Sequence, residues 1–299
     1  MSPRTIRTVN SSLSALPPTI SIVGIGLMGA SLALALRAAG YTGQLVGVSR
    51  SETTRQKALQ RGIVDVATTE LAEGVKDADL VVLCTPVRLL IEQVRTLGEL
   101  CKPGAVITDM GSTKGEIVRA MNELPAHLFA VGSHPMCGKE TAGIDVADVD
   151  LYRGAPWILT RTARTDEASF QLVKALAECV GARTREIAVE QHDALLAFAS
   201  HLPYMVSTSM VSATDAFSLN QPEVWQVMAG GFRDTSRVAA SDLTMWLDIL
   251  LTNTDAILGA VRDFQFALDQ FSTMLERRDE AGLSAFMQAV AAARKAHYA

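Results

Sequence analysis

Cysteine is scarce and scattered: Cys84, Cys101, Cys137 and Cys179 are the four in 299 residues, and none forms a C-x-x-C pair. That spacing excludes a disulfide framework and a zinc ribbon as expectations, and it suits free thiols in a reducing compartment. Positive charge is not in excess either: 27 Lys and Arg stand against 32 Asp and Glu, a formal net charge of −5. A nucleic-acid binder normally carries a basic stripe, so that class is set aside; a local basic patch for a phosphate or carboxylate is still compatible with the total. No unbroken apolar run approaches the ~18 residues that span a bilayer. Residues 1–18, rich in Ser, Thr and Pro, lack the apolar stretch of a secretory signal. They are expected to form a short flexible arm, and the chain to be cytoplasmic, with no membrane association. Internal repeats and low-complexity tracts beyond that arm are absent.

What is present is a chain with 48% hydrophobic and 20% charged residues, ordinary for a soluble protein and long enough for two domains. Thr19 to Val23 is a β-branched run that breaks at glycine, and a small-residue helix follows, ending at Gly40. Apolar strands then alternate with helical segments: strands near 44–49, 80–84, 105–109, 128–131, 157–160 and 183–188. Runs that are apolar throughout predict a parallel sheet covered on both faces. From Glu190 to Ala299 only helical periodicity remains, with apolar stripes such as Leu195, Phe198, Ala199 and Leu202. These read as ordinary helical core or as a homodimer surface. The expected domains are 19–189 for a dinucleotide and 190–299 for substrate and dimerisation.

The first chemistry-bearing motif is Gly24-Ile25-Gly26-Leu27-Met28-Gly29, a G-x-G-x-x-G between a strand and a helix. In that context Gly24 makes the tight turn, Gly26 admits the pyrophosphate to the backbone and Gly29 lets helix and strand pack closely. The pyrophosphate then meets the positive end of the helix dipole. An NAD enzyme places an acid at the end of the second strand; here the chain reads Ser49-Arg50-Ser51, with Arg55 one turn on. Two hydroxyls and guanidinium groups attract a 2′-phosphate that a carboxylate would repel, so NADP is the expected cofactor and NAD the alternative. A solvated Arg50 that touches nothing is the bland reading. Thr85 and Pro86 end another strand where the nicotinamide half should lie.

Three further stretches stand where α/β sites gather: 109–115, 132–141, and Ser200-His201-Leu202-Pro203 with 230–237 downstream. His134, expected on a loop after a strand, has a side chain suited to general acid–base work, with Ser112 placed to orient it or to touch the nicotinamide. His201 reads equally as a satisfied core histidine. Cys137 reads as a small loop residue, because hydride transfer needs no thiol nucleophile. Arg233 and Arg237, four apart, would share a helical face and could grip carboxylates.

GIGLMG, DMGSTKG, SHPMCGKETAG, SHLP and GFRDTSR occur in the order seen in the prephenate/arogenate dehydrogenase family, which the chain resembles from Thr19 onward. The resemblance implies an α/β Rossmann-type domain followed by an all-α dimerisation domain, and oxidative decarboxylation of prephenate or arogenate in tyrosine biosynthesis. It implies His134 as the catalytic histidine with Ser112 as its partner. His201, Arg237, Arg233 and Glu140 fall at positions near the substrate. Tyr204, Cys137 and Lys139 depart from the commoner family pattern. With no mutase segment ahead and no regulatory domain behind, a monofunctional enzyme is expected. A 3-hydroxyacid dehydrogenase or imine reductase on the same architecture, and a non-catalytic NADP-binding sensor, are the rival readings.

Overall fold

The computed structural model describes residues 12–139 and 141–297; Glu140 and most of the expected N-terminal arm lie outside them. Its elements run β1 (Thr19–Val23), α1 (Leu27–Ala39), β2 (Gln44–Val48), α2 (Glu52–Gln60), β3 (Val66–Thr68), α3 (Leu71–Val75), β4 (Leu80–Leu83), α4 (Val87–Leu100), β5 (Val106–Asp109) and α5 (Gly115–Asn122). Then come β6 (Phe129–Pro135), β7 (Pro156–Arg161), α6 (Glu167–Cys179) and β8 (Arg183–Glu186). The eight strands form one sheet in the order β3-β2-β1-β4-β5-β6-β7-β8, parallel except where β7 runs against β6. This is the Rossmann-type arrangement that the apolar strands predict. The short edge strand β3, only three residues long, escapes a periodicity reading.

Alternation explains why the strands are apolar throughout. Ile20, Ile22, Leu80 and Val82 face one core with α1 and α6, whereas Val23, Val81, Leu83 and Ile107 face the other with α4 and α5. α4 buries Val87, Leu90, Ile91, Val94 and Leu97, an i, i+3, i+4 stripe. Caps fix the helix ends: Ser51 accepts the Thr54 N–H at the start of α2, and Asp166 with Ser169 makes a capping box on α6.

Among the described residues after β8 every element is helical: α7 (Val189–Leu196), a π-helical turn (Ala197–His201), α8 (Leu202–Ser218), α9 (Gly230–Ser236), α10 (Leu243–Thr252), α11 (Thr254–Glu276) and α12 (Glu280–His297). Two compact units divide after Asn253, so the sheet and the helices through α10 belong to one. In the other, α11 and α12 pair through Phe271 and Phe286, ring centroids 5.6 Å apart. The continuous helical stretch Val189–Ser218 is, by length and composition, long and apolar enough to cross a membrane, contrary to the expectation from unbroken apolar runs. His192, Asp193 and His201 on this stretch are nonetheless hydrogen-bonded to polar groups of the same unit.

Candidate active site

The carboxyl ends of β1, β4, β5 and β6 open into one cavity of about 570 Å³, the position at which open α/β sheets take their ligands. Gly26, Leu27 and Met28 line it beside Thr85, Pro86, Ser112, His134 and His201, and Trp246 and Asp248 of α10 contribute as well.

The glycine turn fits a dinucleotide by its backbone. Gly24 has φ +97°, and a Cβ there would meet the Cys84 carbonyl at 2.9 Å. A Cβ on Gly29 would fall 2.2 Å from the Gly24 oxygen, so helix and strand touch at this point. A Cβ on Gly26 would meet nothing within 4 Å, which leaves the open cradle at the start of α1 that a pyrophosphate needs. At the end of β2 the Ser49 hydroxyl accepts the Ser51 N–H, the Ser51 hydroxyl caps α2, and Arg50 is exposed. Arg55 is ion-paired with Glu52 on its own helix. Thr85 bonds Gln93 at 2.6 Å, and Pro86 is the N-cap residue of α4.

His134 lies in β6 itself, paired opposite Ile158 of β7, rather than on the loop beyond. The sheet therefore holds its backbone, and only 7% of the residue is exposed. Its Nδ1 is 3.0 Å from Nε2 of His192, whose Nδ1 is 2.8 Å from Oδ1 of Asp193. Ser112 lines the same cavity, and the ring contact is to His192. Burial first, then His192, Lys114 and His201, hold the His134 imidazole well below its usual pKa, so it is neutral. His192 is lowered by burial against the pull of Asp193. Burial pushes the Asp193 carboxyl up, but hydrogen bonds from His192 and from the Gly115 and Lys114 N–H groups outweigh it, and it stays ionised.

Behind the histidines sits a fully buried ion pair, Lys114 with Asp109; Asp109 also accepts the Gly111 N–H at 2.7 Å and the Ser133 N–H at 2.8 Å. A buried pair needs further hydrogen bonds to offset its desolvation, and on the Asp109 side the Gly111 and Ser133 N–H groups supply them. His201, in the π-helical turn, has Nδ1 3.1 Å from Asn253 Nδ2, and its edge meets Trp246. π-Turns recur at functional sites. Tyr204 stacks flat on Trp246, 3.6 Å between centroids. Burial pushes the Cys137 thiol up to about 11, which agrees with its reading as a bystander. Asp248 accepts the backbone N–H and side chain of Arg88, joining α10 to the start of α4.

Arg233 and Arg237 do not line this cavity. Arg233 lies on α9, Arg237 opens a short 3-10 turn, and both are exposed. His192, Asp193, Lys114 and Trp246 are the site residues that a sequence reading passes over. The one signal for the first two was the His-Asp dipeptide inside an apolar helix.

A parallel sheet with a glycine turn at the start of α1, opening on a buried neutral imidazole, defines a nicotinamide-dinucleotide oxidoreductase. Residues 32–186 match the family model for the prephenate dehydrogenase nucleotide-binding domain, and residues 188–289 match that for the prephenate dehydrogenase dimerization domain. The chain belongs to the prephenate dehydrogenase family. It is 34% identical to the prephenate dehydrogenase of Bacillus subtilis over 89% of this chain and 72% of that protein. It superposes on prephenate dehydrogenase from A. aeolicus, solved with hydroxyphenyl propionate and NAD+, with TM-score 0.87 and 33% identity, covering 93% and 98% of the two chains. Against Synechocystis arogenate dehydrogenase the TM-score is 0.80 at 32% identity, covering 93% and 99%.

Proposed function

We propose that this chain oxidatively decarboxylates prephenate, arogenate or both, with NADP preferred over NAD, as a cytoplasmic enzyme of tyrosine biosynthesis. One observation carries the reading: the dinucleotide turn and the neutral His134 imidazole share the walls of a single cavity. The ring of such a substrate bears a hydroxyl on C4 and a carboxylate on C1. His134 accepts the hydroxyl proton as the C4–H bond breaks, carbon dioxide leaves C1 and the ring becomes aromatic. The nicotinamide, when bound, supplies the hydride acceptor. The chain itself has only to position the ring and take one proton, a task of proximity and general-base catalysis. Ser112 faces the same space and is assigned to the reacting end.

The domains assigned are 19–189 for the dinucleotide and 190–299 for substrate and dimerisation. Arg237 and Arg233 are assigned to the substrate carboxylates, with His201 and Glu140 nearby. Neither arginine lines the cavity of a single chain, so this assignment requires the helical layer to close or a second copy to complete the site. Leu195, Phe198, Phe217, Leu219, Trp225 and Val227 are large apolar side chains left exposed, which supports a homodimer. Light scattering at micromolar concentration should return twice 32.0 kDa; a single 32.0 kDa mass would remove the dimer.

Steady-state kinetics with prephenate and arogenate, each crossed with NADP and NAD, tests the whole reading. Turnover with neither substrate would end it. The cofactor preference rests on Ser49 and Arg50, so Ser49→Asp should move the kcat/KM ratio toward NAD by adding a ribose acceptor and repelling the 2′-phosphate. A wild-type enzyme that favours NAD would refute the phosphate-pocket part alone.

A further inference from the structure

We propose that Asp193, acting through His192, locks the His134 imidazole as its Nδ1–H tautomer and so leaves the Nε2 lone pair for the cavity. His192 and Asp193 are thus positioning residues for the base, an assignment that rests on the function proposed above.

Asp193 is the group whose hydrogen-bonding role is fixed. An ionised carboxylate only accepts hydrogen bonds. Asp193 is already anchored at the start of α5, its Oδ1 taking the Lys114 N–H at 2.7 Å and its Oδ2 the Gly115 N–H at 2.8 Å. His192 Nδ1, 2.8 Å from Oδ1, must therefore donate. A neutral His192 then has only a lone pair at Nε2. That atom is 3.0 Å from His134 Nδ1, which must donate in turn. A neutral His134 is left with its lone pair on Nε2. The opposite tautomer would set two nitrogen lone pairs against each other inside a site where His192 is wholly buried.

The same chain of contacts serves the proton once it arrives. The proton leaves the substrate hydroxyl for His134 Nε2 as the O–H electron pair closes the C4–O double bond and hydride departs. It returns to that oxygen when carbon dioxide leaves and the substrate ring becomes aromatic; no other bond of the imidazole changes. The resulting imidazolium keeps its Nδ1–H on His192, with the Asp193 charge beyond. Lys114, buried with Asp109, opposes protonation of either ring before substrate binds. The arrangement follows the general rule that a second group fixes which imidazole nitrogen reacts.

The decisive measurement is the histidine tautomer in the ligand-free protein, read from long-range ¹H–¹⁵N correlations of ¹⁵N-histidine-labelled chain. Single substitutions assign each of the five histidines. His134 and His192 should both show a protonated Nδ1 and an unprotonated Nε2. Asp193→Asn can turn its amide to His192 Nδ1, so His134 should shift toward Nε2–H, with loss of kcat. In kinetics, His192→Ala should lower kcat at least about tenfold while KM for the substrate moves less than about threefold. His192→Gln, which can place a carbonyl oxygen near the former Nε2, should recover part of that loss. A wild-type His134 found as Nε2–H, or a folded His192→Ala with wild-type kcat, overturns the proposal. If His192→Ala does not fold, the wild-type and His192→Gln spectra decide. Absence of turnover with either substrate would sink the functional reading instead, and the spectra of the unliganded protein would still judge the tautomer.

Discussion

The glycine turn and the histidine cluster face each other across one cavity and are built in opposite ways. Gly24 to Gly29 is six consecutive residues whose work is done by backbone: a positive φ at Gly24, a close approach at Gly29 and open space at Gly26. The cluster is made of side chains from β6, α7 and the π-helical turn, with His134 and His192 58 residues apart and His201 and Asn253 52 apart. A site made of backbone needs neighbours in sequence. A site made of side chains needs a fold to bring them together, and its failure should look different when it is broken.

The sharpest break is His134→Asn. The carboxamide keeps the size of the ring's inner half but cannot take a proton, so kcat should fall ~10²–10⁴-fold while KM for substrate changes comparatively little. Near wild-type kcat would strip His134 of its role and direct attention to His201. Arg237→Ala should give the converse pattern, because a carboxylate is gripped in ground and transition state alike. Loss of a charged hydrogen bond of ~1.5–3 kcal/mol implies a rise in KM of roughly ten- to a hundred-fold. An unchanged KM would move the carboxylate contact to Arg233.

The same contrast governs what the sequence discloses. The strand, glycine turn and helix at 19–39 and the sheet's apolar strands are legible because each rests on local pattern. His134 and Ser112 were legible as candidates, since each stands near the carboxyl end of an apolar strand. Their surroundings were not. Nothing local shows that His192 reaches His134, that Lys114 buries itself against Asp109, or that His134 belongs to the strand, because β7 extends β6 only by antiparallel pairing from downstream. Arg55 is a different case: its charge is visible in sequence, whereas its ion pair with Glu52 is a matter of side-chain placement on α2.

The glycines can be set against each other within their own turn. Gly29→Ala places a methyl 2.2 Å from the Gly24 oxygen and 2.8 Å from Ile22, so backbone must shift. Thermal or urea unfolding should show a loss of roughly 1–3 kcal/mol. Gly26→Ala meets nothing in the protein, so stability should hold while dinucleotide affinity, read by calorimetry, falls. Equal stability losses for the two variants would contradict the assignment of close packing to one and ligand approach to the other.

The smallest effect concerns His201, and it tests whether the side-chain cluster is held neutral at a cost. Burial, opposed by Asp193 and aided by His192, lowers its pKa from 6.5 to about 4. Between those values the unfolded chain carries a proton on this group that the folded chain does not. Stability therefore rises with pH through that window and is lost on acidification. From the unperturbed pKa down to about pH 5 the expected loss is up to about 2 kcal/mol, taking ~1.36 kcal/mol per pKa unit. Carboxylates titrating in the same range act in any variant, so the comparison is between slopes. His201→Asn removes the titrating ring but keeps a small polar side chain beside Asn253. Its unfolding free energy should depend less steeply on pH than that of the wild type between about pH 7 and pH 5. Parallel lines would mean that His201 is not kept neutral by the fold, and that the cluster's electrostatics end at His134 and His192.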